Sequence, residues 1–94
     1  METCAYLDIE TTSLSPADGD LTVIGVCVEH GQNRRLAQLV GNGISAERVQ
    51  EIMEGIGVLY TYNGTQFDLP FIKAKLGIDI PGFCRHFDSM YACW

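Results

Sequence analysis

Short apolar runs separated by polar turns extend along most of the chain, and several have the length of a strand. Residues 3–9, 21–28 and 35–40 form three such runs. The second is rich in β-branched residues and almost continuously apolar, which is typical of a strand covered on both faces. The polar segment 29–33, which contains Gly31, predicts a hairpin between the second and third runs. The pattern therefore predicts three antiparallel strands at the start of the chain.

Helical spacing of apolar residues appears in two later segments. The first follows Ser45, which stands at an N-cap position, and continues until the glycines at 55 and 57. The second has Pro70 in its first turn and Gly77 just past its end. Residues 58–62 predict a strand between the two helices, and residues 81–88 predict the approach to a fifth strand. Strands followed by helices in this order indicate an α/β fold.

Two acids leave the same face of the first predicted strand. Asp8 and Glu10 are separated by one residue, so both share a face with Tyr6, while Leu7 and Ile9 point to the other face. Neighbouring carboxylates repel each other unless a cation lies between them or one of them stays protonated. A divalent metal meets this condition. The spacing leaves a second interpretation open, in which both acids form the hydrated side of an edge strand.

A third acid, Asp68, stands at the start of the second predicted helix. Asn63 and Gly64 predict a turn at the end of the preceding strand, and open α/β sheets bind ligands at that edge. Capping of the helix N-terminus is the other role that an acid has at this position. Next to the first two acids, Thr11 and Thr12 begin a polar, turn-rich loop that suits closure over a ligand.

Composition narrows the possible functions. The 94 residues are 47% hydrophobic and predict one small domain over residues 1–94. A net charge of -6 excludes a broadly basic surface, so metal ions would have to supply positive charge for a nucleic acid. The four cysteines have neither zinc-site nor disulfide spacing, which favours a reducing, cytoplasmic location. We expect neither a signal peptide nor a membrane span.

The order of these motifs resembles that of a known enzyme family. Asp8-x-Glu10, then Thr11-Thr12-x-Leu14, and later Asn63-Gly64-x-x-Phe67-Asp68 resemble the first two motifs of the DEDD 3′-5′ exonucleases in the ribonuclease H-like superfamily. The predicted bacterial ribonuclease H-like exonuclease branch is the most similar. This resemblance implies a mixed sheet in which three antiparallel strands are followed by parallel additions, with helices.

The resemblance also implies a role for each motif residue. Asp8, Glu10 and Asp68 would act as catalytic residues that bind two divalent ions, Mg²⁺ or Mn²⁺, in phosphodiester hydrolysis. The partner would be a 3′ end of single-stranded DNA or RNA. The residues expected to contact this substrate are Thr11, Thr12, Leu14, Asn63 and Phe67.

The family's third motif, a fourth acid on a later helix with Tyr or His four residues before it, has no counterpart in the chain. His86 precedes Asp88 by two residues, so we expect Asp88 to cap the strand end or the following helix. We therefore expect a domain without its C-terminal helix, its fourth acid and its general base. The apolar face left open is expected to form a homodimer through Tyr91 and Trp94.

Two classes of function agree with these observations. The first is a 3′-5′ exonuclease whose catalytic residues are incomplete in this chain. The second is a non-catalytic nucleic-acid-binding or protein-interaction module that retains the fold. A phosphatase-type nucleophile at Asp8 is disfavoured, because that chemistry usually has a second Asp where this chain has Glu10.

Overall fold

A computed structural model describes residues 2–92 of the chain and the side chains of residues 2–90. Its strands and helices follow the predicted order, with 3-10 turns at Gly41–Gly43 and Ile80–Gly82. The elements are β1 (Cys4–Thr11), β2 (Leu21–His30), β3 (Asn33–Val40), α1 (Ala46–Met53), β4 (Val58–Thr61), α2 (Asp68–Leu76), β5 (Arg85–Asp88) and α3 (Ser89–Ala92).

The strands form one mixed sheet in the order β3-β2-β1-β4-β5. The pairs β1–β2 and β2–β3 are antiparallel, whereas β4 is parallel to β1 and β5 is parallel to β4. This confirms the predicted α/β fold with three antiparallel strands followed by parallel additions. Because β1, β4 and β5 run in the same direction, their C-terminal ends meet at one edge of the sheet.

The hydrophobic core lies on one face of the sheet. Alternate residues of the strands point toward α1 and α2 and pack into a single cluster with them. The strand members of the cluster are Ala5, Leu7, Ile9, Ile24, Val26, Val28, Leu39 and Leu59, and the helix members include Val49, Met53, Leu69, Phe71 and Ile72.

The opposite face of the sheet, called the open face below, carries Tyr6, Asp8, Leu36, Tyr60 and Phe87. Neither α1 nor α2 packs against it. Tyr60 stacks between Tyr6 and Phe87, with ring centroids 5.2 and 5.8 Å apart. Leu36 remains 79% exposed. The open face is therefore apolar as well as accessible.

Strand β2 differs from its prediction. Its continuous apolar sequence predicted burial on both faces, but only Ile24, Val26 and Val28 are buried. Val23 and Cys27 point toward the open face and stay partly exposed. The prediction was wrong because the composition of a strand does not show which of its two faces a helix will cover.

The helix ends follow the sequence signals closely. The Ser45 hydroxyl accepts a hydrogen bond of 3.2 Å from the Arg48 backbone N–H at the start of α1. Gly77 takes a left-handed conformation with φ 72° directly after α2.

The longest helix in residues 2–92 is α2 with nine residues, whereas a helix that crosses a bilayer needs roughly 20.

Strand β3 offers a matched test of the one-sided core. Leu39 is 8% exposed on the core face, and Leu36 is 79% exposed on the open face. We expect Leu39→Ala to lower the free energy of unfolding by about 2 to 5 kcal/mol, because it leaves a cavity. Leu36→Ala should change it by less than about 0.5 kcal/mol. Urea unfolding at low protein concentration measures both, and equal losses would contradict the one-sided core.

Candidate metal centre

Asp8 and Glu10 lie on β1 with the orientation that the strand pattern predicted. Both side chains are exposed on the side of Tyr6, whereas Leu7 and Ile9 are buried in the core. Asp8 lies opposite Gly25 of β2, so no side chain from that position covers it. The two acids are therefore accessible to a ligand from solvent.

Asp68 occupies a different environment, although it belongs to the same edge of the sheet. It is the first residue of α2 and only 3% exposed. The chain reaches it through a tight turn after β4, in which Asn63 has φ 60°. Gly64 is required in this turn, since a Cβ there would lie 2.1 Å from the Thr61 hydroxyl oxygen. The turn thus directs the start of α2 back toward β1.

Electrostatics show that Asp68 lies next to Asp8. The pKa of Asp68 is raised from 3.8 to about 6, first by burial and then by the negative charges of Asp8 and, to a smaller extent, Asp88. Interaction with the backbone N–H groups of Asp68 and Ile9 works in the opposite direction. The structure therefore brings Asp8 and Asp68 together at the end of β1.

No basic side chain of the described chain compensates this pair. The ion pairs among residues 2–90 join Arg34 to Glu29 and Arg85 to Glu2, away from Asp8 and Asp68. Carboxylate oxygens are the ligands that Mg²⁺ and Mn²⁺ prefer. The donor chemistry of the pair thus fits a hard divalent cation.

The fit is limited to two of the three predicted ligands. In the part of the chain that the structure describes, no three His, Cys, Asp or Glu side chains are gathered closely enough to hold a metal ion. Glu10 lies two residues beyond Asp8 along β1, and Asp8 is the acid whose charge acts most strongly on Asp68. The structure therefore pairs the carboxylates of Asp8 and Asp68, and Glu10 is a neighbour of this pair.

The predicted substrate residues that follow β1 form a loop with its own hydrogen bonds. The Thr11 hydroxyl donates to the Ser13 carbonyl oxygen at 2.7 Å. The Thr12 hydroxyl accepts from the Asp20 backbone N–H at 2.9 Å. Leu14 is 84% exposed at the tip. Each hydroxyl thus makes one internal bond, the Thr11 hydroxyl as donor and the Thr12 hydroxyl as acceptor, and the loop presents an apolar side chain to solvent.

The other two predicted substrate residues precede α2. Asn63 is partly buried, and its side-chain oxygen has no hydrogen-bond partner among the described residues. The Phe67 ring contacts the fully buried Phe71 edge to face, with centroids 5.7 Å apart. Phe67 therefore belongs partly to the core, whereas Asn63 keeps an acceptor free for another group.

Two side chains of β5, those of Asp88 and His86, form hydrogen bonds where β4 ends and the turn to α2 begins. The Asp88 carboxylate accepts a hydrogen bond of 3.1 Å from the Met90 backbone N–H, which confirms the predicted cap of the following helix. It also binds the β4–α2 turn, a contact that sequence reasoning missed. The His86 ring bonds to the Thr61 hydroxyl at 2.7 Å, and burial lowers its pKa. His86 is thus occupied by a structural contact.

The depressions in the surface do not enclose the acids. The largest, about 680 Å³, lies beside the end of α1 against Phe83. A smaller one of about 350 Å³ on the open face is lined by Asp8, Tyr6 and Leu36, among others. Asp8 therefore lies at an open surface of the sheet.

We expect Asp68→Asn to stabilise the metal-free protein above about pH 6. Since the pKa of folded Asp68 is raised from 3.8 to about 6, the wild type loses stability as the pH rises through this window. The neutral asparagine avoids that loss, and its advantage should grow to at most about 3 kcal/mol. Urea unfolding at pH 4 and pH 8 measures the difference. The exposed Asp18→Asn is the control, and no gain at pH 8 would show that Asp68 is not strained.

Solved structures with the same fold include those of two exonuclease I proteins and of NrnC. A zinc-bound complex of E. coli ExoI with ssDNA has a TM-score of 0.72 at 15% identity, over 98% of this chain and 29% of that chain. Exonuclease I from Methylocaldum szegediense has a TM-score of 0.69 at 12% identity, over 99% and 29%. Brucella melitensis NrnC has a TM-score of 0.58 at 20% identity, over 81% and 37%.

At these identities the structural similarity establishes the fold. This chain spans less than two fifths of the length of each of the three proteins. A comparison with curated protein sequences gives no match. The family comparison is decisive, because a sequence model described as RNase H superfamily matches residues 5–94. The chain therefore belongs to the RNase H superfamily.

Proposed function

We propose that this domain contributes the metal-binding acids of a 3′-5′ exonuclease-type site. Asp8, Glu10 and Asp68 hold two divalent ions, Mg²⁺ or Mn²⁺, and phosphodiester bonds are hydrolysed at single-stranded nucleic-acid ends. One observation carries this proposal: Asp68 is buried beside Asp8, and its pKa is raised to about 6 by burial and by the charge of Asp8. A site of two repelling carboxylates is stabilised by binding a cation.

The three acids have different tasks in this proposal. When bound, the metal ions supply an activated water at neutral pH and stabilise charge on the attacking and leaving oxygens. Asp68 presents a carboxylate that is shielded from water, and Asp8 faces it from β1. Glu10, which is exposed on the same side of β1 as Asp8, would add a third carboxylate to the ligand set. The fourth acid and the general base of the related enzymes lie outside this set and are required in addition.

Single-stranded DNA or RNA is the proposed substrate. Two E. coli exonuclease I structures with the same fold contain oligonucleotides, which supports this choice. The exposed Leu14 would contact a terminal base, and Asn63 would offer its free side-chain oxygen. Thr11 and Thr12 would hold the 3′ end through backbone and hydroxyl groups, and the Thr12 hydroxyl, which accepts from the Asp20 N–H, keeps its own proton to donate. Phe67 would line the cleft.

The proposed location is the reducing cytoplasm. Cys4, Cys27 and Cys84 are free thiols in the structure. Free thiols persist where glutathione and thioredoxin keep cysteines reduced. This agrees with a nuclease that acts on intracellular nucleic acid.

The second candidate function is a non-catalytic binding module. The open face carries Leu36, Val40, Tyr6 and Phe87, all of them exposed. Accessible apolar surface of this kind is typical of interaction sites. A module of this class would bind a nucleic acid or a protein and would have no need of Mg²⁺ or Mn²⁺.

Metal titration separates the two functions. We expect the wild type to bind Mn²⁺, and Asp8→Asn and Asp68→Asn each to weaken binding at least about tenfold, because each removes a ligand charge. Asp18→Asn should bind as the wild type does. Isothermal titration calorimetry at pH 8 measures the affinities.

A second assay tests the chemistry. An oligonucleotide labelled at its 3′ end is incubated with the protein and Mn²⁺, and release of the label is followed with the same variants. Release that Asp8→Asn abolishes would favour the exonuclease, and Mn²⁺ binding without release is the result expected if this chain needs the additional acid and general base. Absence of Mn²⁺ binding by the wild type would favour the non-catalytic module.

We also propose that a second copy of the chain packs on the β3 side of the open face, around Leu36. The predicted pairing through Tyr91 and Trp94 involves side chains outside the described residues, so the test uses Leu36. Sedimentation velocity should show a dimer at high concentration, and Leu36→Asp should restore the monomer by placing a charge in the interface. Leu14→Asp, equally exposed but on a loop, is the control. A clean monomer at every concentration would refute self-association.

A further inference from the structure

The start of α2 has no cap of its own. Phe67 stands at the N-cap position, and no side chain of this residue bonds to the first turn. The preceding turn contains Asn63 in the left-handed region, with φ 60°, which is uncommon for a residue other than glycine. Asp68 follows directly as the first residue of α2. Contacts from elsewhere must therefore fix the direction in which Asp68 enters the site.

The carboxylate of Asp88 supplies such contacts from the end of β5. One of its oxygens accepts the backbone N–H of Asn63 at 2.7 Å, and the other accepts that of Thr65 at 3.0 Å. The first oxygen also accepts the Met90 N–H at 3.1 Å. Although desolvation works against it, hydrogen bonding from Thr65, Asn63 and Met90 lowers the pKa of Asp88. The carboxylate is therefore ionised near neutral pH and acts as a charged acceptor.

Neighbours of Asp88 hold the end of β4 next to the turn. The Ser89 hydroxyl donates to the Thr61 carbonyl oxygen at 2.9 Å. The His86 ring bonds to the Thr61 hydroxyl at 2.7 Å. Gly64 packs so closely against this same hydroxyl that the position cannot accept a Cβ. His86 and Ser89 thus bond to Thr61 at the end of β4, whereas Asp88 bonds to the turn that follows it.

Hydrogen bonds connect this turn to the residues on both sides of Asp68. The Phe67 N–H donates to the Asn63 carbonyl oxygen at 3.0 Å. The Leu69 N–H donates to the Gly64 carbonyl oxygen at 2.9 Å. The residues immediately before and after Asp68 are thus bonded to the segment that Asp88 holds.

From these contacts we infer that Asp88 is a positioning residue for the metal centre. It fixes the β4–α2 turn through Asn63 and Thr65, and thereby holds the Asp68 carboxylate beside Asp8. Its own oxygens are occupied by backbone N–H groups, so it serves the site without being a ligand. The inference rests on the proposed function in one respect, because it takes Asp68 to be a metal ligand.

The first measurement uses metal-free protein. In Asp88→Ala, the contact of the Asp68 carboxylate with the Ile9 backbone N–H should be lost, which a change in the chemical shift of the Ile9 amide proton would report. Amide hydrogen exchange at Phe67 and Leu69 should become at least about tenfold faster, since the bonds that restrain them loosen. Asp88→Asn keeps one acceptor oxygen and should fall between the wild type and Asp88→Ala.

The second measurement is the affinity for Mn²⁺. Loss of a group that orients a ligand typically weakens metal binding by about 10- to 100-fold, and we expect this range for Asp88→Ala. Ser45→Ala is the matched control, because it removes the cap of α1, in which Ser45 accepts from the Arg48 N–H, away from the site. It should destabilise the protein yet preserve both the Asp68 contact and the affinity.

The outcomes separate this inference from the proposed function. If Asp88→Ala and Asp88→Asn both retain the Asp68 contact with Ile9, or retain wild-type Mn²⁺ affinity, Asp88 does not position Asp68 and the inference fails. If the wild type binds no Mn²⁺ while Asp88→Ala displaces Asp68, the proposed function fails and the positioning role stands.

Discussion

The burial of Asp68 beside Asp8 is the constraint on which the site depends. Burial and the neighbouring charge both raise the pKa of Asp68, to about 6, so near neutral pH the metal-free fold holds two negative charges at an energetic cost. The ion pairs of the described chain lie elsewhere. A divalent cation between the two carboxylates, as in the proposed function, would offset this cost.

The sheet topology creates this arrangement from distant parts of the chain. Because β4 pairs in parallel with β1, the turn after β4 lies at the same edge as the end of β1. β5 extends the parallel set and brings Asp88 under that turn. Both α1 and α2 cover the core face, so the exposed acids remain on the open face. The same one-sided packing supplies the core and keeps the site accessible.

Strand alternation alone was enough to predict the orientation of Asp8 and Glu10, and the glycine at 77 marked the end of α2 correctly. Local pattern could not show which face of β2 would be covered, because that depends on where the helices pack. The contacts of Asp88 with Asn63 join residues 25 positions apart and have no signature in either segment. The sequence also could not show that Asp68 would be paired with Asp8 more closely than with Glu10.

A crystal soaked in Mn²⁺ tests the shared-cation site most directly, through the anomalous scattering of the metal. The expected result is an anomalous peak between the carboxylates of Asp8 and Asp68, within reach of Glu10. Absence of a peak there, with the Asp68 carboxylate turned away from Asp8, would contradict the site.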